Sequence, residues 1–263
     1  MPTPKAIFFD LDGTLLSWSK MLDSSKEALV YAREKGVKIF VATGRNRGDI
    51  EKMPWFEEVT FDGFVAMNGT HCYVGDEVIY KKTLEKDAVR LVVDFISTTQ
   101  VHCVFCEADE MYTTAGDEDT RAWQASMGLP TPPVSDASRA LCAEIFQIVS
   151  YGSQLKTFVA RHPQFAITGW SEDCYDIIPA GASKWDGILH MLPRFGLKPW
   201  EIATVGDGHN DIEMLTNAEF SVAMGNASDE VKACAKHVTG HVDAGGALMA
   251  VKFLLGCSEH PRK

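Results

Sequence analysis

No apolar run in this sequence is long enough to cross a bilayer. The longest, such as residues 39–42 and 202–205, fall far short of the roughly 20 residues that a spanning helix needs. Positive charge is scarce. Lys and Arg number 25 against 36 Asp and Glu, a net charge of -11, which argues against the basic stripe of a nucleic-acid scaffold. It does not exclude an anionic ligand, because a site can be locally positive within an acidic protein. No secretory leader is expected, since the apolar run after Met1-Pro2-Thr3-Pro4-Lys5 is broken by Asp10 and Asp12. These absences set the expectation of a cytoplasmic protein that engages no nucleic acid, no membrane and no obligate protein partner.

A disulfide framework is absent as well. The seven cysteines are an odd number and are scattered. Cys103 and Cys106 form a lone C-x-x-C, but residues 101–106 read as a strand, where positions three apart face opposite sides. A zinc site would also need further ligands. There is no G-x-x-x-x-G-K-[ST] segment, so a P-loop nucleotide site is unsupported. Internal repeats and low-complexity tracts are missing.

What is present is strand–helix alternation in a chain of 263 residues, 46% of them hydrophobic. Residues 6–9, 37–42, 64–67, 202–205 and 220–224 are apolar runs suited to buried parallel strands. Residues 24–35 read as a helix capped by Asp23 or Ser24, with Ala28, Leu29 and Ala32 on its inner face and Gly36 at its end. Further helices are expected at 184–192, capped by Ser183, and at 211–215, 228–235 and 247–255. The middle differs. A helical pattern through Ala88, Leu91, Val92 and Phe95 precedes strand-like runs at 101–106, 110–114, 145–149, 165–167 and 175–178. The fold class expected is α/β, a Rossmann-like doubly wound parallel-sheet core with an inserted α+β domain. The core takes residues 1–82 and 184–263, and the insertion takes 83–183.

Four polar clusters follow predicted parallel strands: Asp10-Leu11-Asp12-Gly13-Thr14, Thr43-Gly44-Arg45, Asn68-Gly69, and Gly206-Asp207-Gly208-His209-Asn210-Asp211. Ligands of open α/β sheets bind beyond the carboxyl ends of the strands, so these clusters should converge, with Lys184 placed to join them. Several carboxylates brought together repel one another, and a hard divalent cation relieves that. Carboxylates, a cation, one lysine and short hydrogen-bond donors suit a phosphate.

The first, second and fourth clusters, with Lys184 between the last two in sequence, resemble the four ordered motifs of the haloacid dehalogenase superfamily. The insertion between the second and third motifs, together with Asn68-Gly69 and Ala223-Met224-Gly225-Asn226-Ala227, is similar to the Cof-type sugar phosphatases with a large α+β cap. The resemblance implies a HAD-like core, a Mg2+ cofactor and a small phosphorylated metabolite as substrate. It implies Asp10 as nucleophile and Asp12 as acid and then base. Asp10, Asp207 and the Asp12 carbonyl would hold the metal. Thr43 and the Gly44 amide would bind phosphoryl oxygens, Lys184 would balance charge, and Asn210 would contact substrate or phosphate. Asp211 would order Lys184 or a metal-bound water. Many relatives have glycine directly after the motif lysine; here Trp185 and Asp186 intervene before Gly187.

Plainer readings stand beside these. Arg45 binds substrate or pairs with a surface acid. Asn68 and Asn226 lie near substrate or serve as turn residues. His209 is a variable-position histidine rather than a general base. Trp123, Trp170 and Trp185 are core or domain-interface residues. A phosphomutase of the same superfamily is the close enzymatic rival. A receiver module holding an aspartyl phosphate is the more distant one.

Overall fold

The computed structural model describes residues 3–99, 101–116, 118, 121, 125, 131–169 and 174–256. Trp123 and Trp170 lie outside them. Among the described residues, no helix is long and apolar enough to cross a membrane.

Strand β1 (Ala6–Phe9) is buried at every position, as a central strand covered on both faces must be. A short hairpin of β2 (Leu16–Ser17) and β3 (Lys20–Met21) follows it. Then come β4 (Lys38–Ala42), β5 (Gly63–Ala66), β6 (His71–Val74) and β7 (Glu77–Lys81). After the insertion the sheet resumes with β13 (Ile202–Gly206), β14 (Phe220–Ala223) and β15 (His237–Val238). The order across the sheet is β15-β14-β13-β1-β4-β5-β6-β7. The first six of these strands run parallel, and β6 and β7 are antiparallel. The chain works outward from β1 on one side and later outward on the other. The order therefore reverses at β1, where a ligand crevice is expected.

The β6–β7 hairpin adds to the expected elements. Its signal is Gly75-Asp76, a two-residue hairpin turn between two runs, with Gly75 at φ +55°. Strand β5 also stops one residue early. Met67 and Asn68 adopt φ of 46° and 53°, left-handed values that end a strand. The helix over Asp23–Glu34 buries Ala28, Leu29 and Ala32 as expected, but its cap is Leu22, with no side-chain hydrogen bond. Asp23 instead sits in the first turn, where the helix dipole favours a carboxylate. Ser183 does cap Lys184–Met191, accepting from the Asp186 amide at 3.1 Å. Gly187 of that helix packs on Gly69. A Cβ there would lie 2.7 Å from the Gly69 Cα, so glycine at this place lets the helix start against the turn. Trp185 is half-buried against the core on that side of the sheet.

The inserted segment forms a second, fully antiparallel sheet. Its strands are β8 (Cys103–Cys106), β9 (Met111–Thr113), β10 (Gln147–Tyr151), β11 (Phe165–Gly169) and β12 (Cys174–Pro179), ordered β11-β12-β10-β8-β9. Side chains alternate between its faces. Cys103, Phe105, Ile148 and Ile177 pack with Val89, Val92, Leu155 and Val159 of the helices Lys86–Thr98 and Ser153–Val159. Val104, Cys106, Val149 and Cys174 point the other way and meet Met67, in the turn just beyond β5. Cys103 and Cys106 thus lie in different clusters, and both are free thiols. Asp176 and Gln147 alternate onto the same face as Cys106 and Val149.

Candidate active site

Register places the polar clusters at one level. Phe9 pairs with Val41 on β4 and with Val205 on β13. Asp10 lies one residue beyond Phe9, and Thr43 and Asp207 lie two residues beyond its partners Val41 and Val205, so all three stand at the same end of the sheet. The Asp10 amide donates to the Val205 carbonyl at 2.9 Å, and the Thr43 amide to Val65 at 2.9 Å.

Lys184 is buried between two acids. Its Nζ donates to Asp10 Oδ1 at 2.7 Å and to Asp211 Oδ1 at 2.6 Å. The other Asp211 oxygen accepts from the amides of Asp207 and Gly208, both at 2.9 Å. Asp10, Asp207 and Asp211 each offer an oxygen within 4.8 Å of the others. Two of these carboxylates bond the one ammonium and Asp207 stands beside them, so the fully ionised group carries an excess of two negative charges (three minus one). Burial pushes Asp10 well above the usual carboxylate range. Lys184 pulls it down, while Asp211, Asp207 and Asp12 add to the rise. Burial and then Asp211 push Asp207 up to about 7, against the Thr14 hydroxyl. Burial would lower the Lys184 ammonium, but Asp10 and Asp211 outweigh it and hold it charged. An uncompensated charge of minus two, presented by hard oxygens, suits a divalent cation such as Mg2+.

Asp207 is held in place by two further donors. Thr14 Oγ1 reaches Oδ1 at 2.9 Å, and Asn226 Nδ2 reaches Oδ2 at 3.0 Å. Asn226 also donates to the Gly13 carbonyl at 2.9 Å and accepts from the Val242 amide at 2.9 Å. Its part here is to tie three loops together. Gly13 sits at φ +83°, and a Cβ on it would fall 2.1 Å from Asp207 Oδ2, so only glycine fits. Arg45 is buried, and its partner is not a surface acid. Its Nε and Nη2 donate to the two oxygens of Asp12, each at 2.6 Å, and Nη2 also reaches Ser19 Oγ at 3.3 Å. This fork holds the Asp12 carboxylate in one orientation.

The second sheet closes over the crevice. Asn210 Nδ2 donates to Asn68 Oδ1 at 3.0 Å. Asn68 Nδ2 donates in turn to Gln147 Oε1 at 2.9 Å and to Asp176 Oδ2 at 2.8 Å. Gln147 Nε2 reaches the Gly44 carbonyl at 3.3 Å. Between the sheets is a cavity with ≈ 190 Å³ of space reachable by water, bounded by Asp10, Asp12, Thr43 and Asp207 below and by Gln147 and Asp176 above. Asn68 is thus a bridge between the sheets rather than a plain turn residue. His209 is exposed, faces Glu230 at 3.2 Å and is not among the residues bounding this cavity. Sequence reasoning missed Gln147 and Asp176. The period-2 alternation of β10 and β12 was the available signal, since it puts a polar residue on a face whose neighbours are apolar.

The family model for haloacid dehalogenase-like hydrolase matches residues 7–251. YkrA of Bacillus subtilis (strain 168), which carries a phosphatase name, is 32% identical over 253 residues, 95% of this chain and 97% of that one. The pyridoxal phosphate phosphatase YbhA of Escherichia coli (strain K12) is 30% identical, over 90% of this chain and 94% of its own. A solved structure of BT4131, described as a HAD subclass IIB sugar phosphatase, superposes with a TM-score of 0.87. It is 33% identical and covers 95% of this chain and 98% of that one.

Proposed function

The chain belongs to the haloacid dehalogenase-like hydrolases and is a phosphoric monoester hydrolase, and we propose that it hydrolyses small phosphate monoesters, sugar phosphates in particular, with Mg2+ and through an aspartyl phosphate on Asp10. The observation that carries this reading is the buried Lys184 shared between Asp10 and Asp211, with Asp207 beside them in excess negative charge. An excess of carboxylate around one ammonium is relieved by a divalent cation.

Asp10 attacks phosphorus, and its charge in that role is balanced by Lys184. A carboxylate nucleophile divides one hard displacement into two easier ones. Asp12 is forked on Arg45 in the structure; once that fork opens on substrate binding, it gives its proton to the leaving oxygen and then takes one from the water that cleaves the acyl phosphate. The Thr43 hydroxyl and the Gly44 amide donate to the equatorial oxygens, where charge accumulates. Asp10, Asp207 and the Asp12 carbonyl would hold Mg2+, which would supply charge neutralisation of the phosphoryl group. Both Asp211 oxygens are already committed to hydrogen bonds, so its part is to fix Lys184 and the Asp207–Gly208 turn. Residues 83–183 act as a cap that covers the leaving group, with Asn68 and Asn210 linking it to the core. The likeness to BT4131, a sugar phosphatase, supports the substrate class.

Phosphate release from p-nitrophenyl phosphate and hexose phosphates tests the reading. Asp10→Asn should keep the fold and lose activity on the order of 10^4-fold or more. Chelation should abolish turnover, and Mg2+ should restore it. Near wild-type activity in folded Asp10→Asn, or indifference to chelator, would sink the proposal.

A further inference from the structure

We infer that the leaving-group end of the cavity is a hydroxyl-reading, anion-rejecting subsite built by Asp176 and Asp49 with Asn46 and Arg45, so the enzyme selects neutral or cationic leaving groups against those bearing a second phosphate or a carboxylate. This rests on the phosphatase reading above and adds a rule about which monoesters it takes.

The first observation is charge. Besides the phosphoryl machinery, the cavity is bounded by two more carboxylates, Asp176 from β12 and Asp49 from the helix Arg47–Glu51. Asp176 is buried, and Asp49 is half-buried. Among the described residues lining this cavity Arg45 is the one cation, and two of its nitrogens are already on Asp12. Asp176 stands where phosphoryl and leaving group meet: a Cβ on Gly44 would come 3.3 Å from its Oδ2. A leaving group with its own negative charge would therefore meet two carboxylates, with no cation lining this end except Arg45, which is already forked on Asp12.

The second observation is of donors. Asn46 caps the Arg47–Glu51 helix with Oδ1, which accepts from the Asp49 amide at 2.7 Å. Asn46 lines the cavity, and its Nδ2 is buried with no hydrogen-bond partner among the described residues. Arg45 Nη1 is in the same state. A hydroxyl both donates and accepts, so one sugar hydroxyl can give its proton to an aspartate and receive one from Asn46 or Arg45. A phosphate or carboxylate at working pH only accepts, and so has no proton to give to Asp49 or Asp176. Sites built to bond a hydroxyl discriminate strongly against ligands that leave their polar groups unpaired. Cys106, Met111 and Val149 supply an apolar wall from the second sheet, which suits the carbon face of a small ring.

The test compares kcat/KM for phosphate release by the full chain with Mg2+ on a hexose 6-phosphate, the matching 2-amino sugar phosphate and the matching 1,6-bisphosphate. Wild type should disfavour the bisphosphate by at least about tenfold, the size of one like-charge contact across a partly screened site. The amino sugar should do at least as well as the neutral one. In Asp176→Asn and Asp49→Asn the neutral-to-bisphosphate ratio should fall by about threefold or more, and a ratio is insensitive to a general loss of activity. If one variant fails to fold, the other carries the same comparison. Equal wild-type rates, a preference for the bisphosphate, or an unchanged ratio in the folded variants would overturn the inference while leaving the phosphatase reading intact. Absence of release from p-nitrophenyl phosphate as well would instead bring down that reading and this inference with it.

Discussion

The floor and the roof of the cavity are built on different plans. On the floor, Asp10, Asp12, Asp207, Asp211, Lys184 and Arg45 are cross-linked at 2.6 to 2.9 Å. All but Lys184, which opens the helix Lys184–Met191, come from short contiguous segments at the ends of parallel strands. On the roof, Gln147 and Asp176 are single polar residues among apolar ones, spaced along antiparallel strands. The difference suits the two tasks. A phosphoryl group is common to every substrate and rewards a rigid, charge-matched cradle. A leaving group varies, and isolated side chains on a sheet face can change without disturbing the cradle.

That contrast can be broken by substitution. The largest effect is expected on the floor at Lys184. Lys184→Met removes the one ammonium shared by Asp10 and Asp211 and leaves buried carboxylates unpaired. The metal-free protein should lose about 3–5 kcal/mol of stability in chemical denaturation, and activity should fall with it. Retention of both would mean that the floor is not held by charge.

A second effect concerns pH. Asp10 and Asp207 have raised folded-state pKa values, so the folded protein binds protons that the unfolded chain releases. Their contribution to stability is full below the unfolded carboxylate pKa and is lost as pH rises through the folded value, about 7 for Asp207. Mg2+ competes with those protons, so it should raise the melting temperature more at pH 7.5 than at pH 5. A thermal shift from Mg2+ that is equal at the two pH values would contradict this.

The smallest effect belongs to the roof. Gln147→Ala deletes the contacts to Asn68 and the Gly44 carbonyl, and Gln147 bonds none of the charged side chains of the floor. Its kcat/KM on a small aromatic ester should fall by about tenfold or less, a net hydrogen bond's worth, with the Mg2+ requirement unchanged. A loss as deep as that of Asp10→Asn would erase the distinction between floor and roof.

The same contrast explains what could be read from the chain. Floor residues are legible because each cluster is contiguous and follows an apolar run, and β1 is apolar at all four positions. The cap at Ser183 and the opposite facing of Cys103 and Cys106 are equally local, set by one hydrogen bond or by period two. Roof residues depend on which strand lies over which loop, a long-range matter. Asn68 and Gln147 are 79 positions apart, and Asn68 and Asp176 are 108 apart. Asn226 is recognisable as a turn residue, but its hold on Asp207 and Gly13 follows from tertiary placement. The left-handed Met67 is not written in local propensity, since methionine has no preference for that region; it is imposed by the packing of its side chain into the second sheet.

The central claim is that Asp10 carries the phosphoryl group between two in-line displacements. The most direct measurement is the stereochemical course at phosphorus, using a monoester made chiral with oxygen isotopes and water as the acceptor. Two displacements, one by Asp10 and one by water, give overall retention of configuration. Inversion would show that water attacks the ester directly and would contradict the assignment of Asp10 as nucleophile.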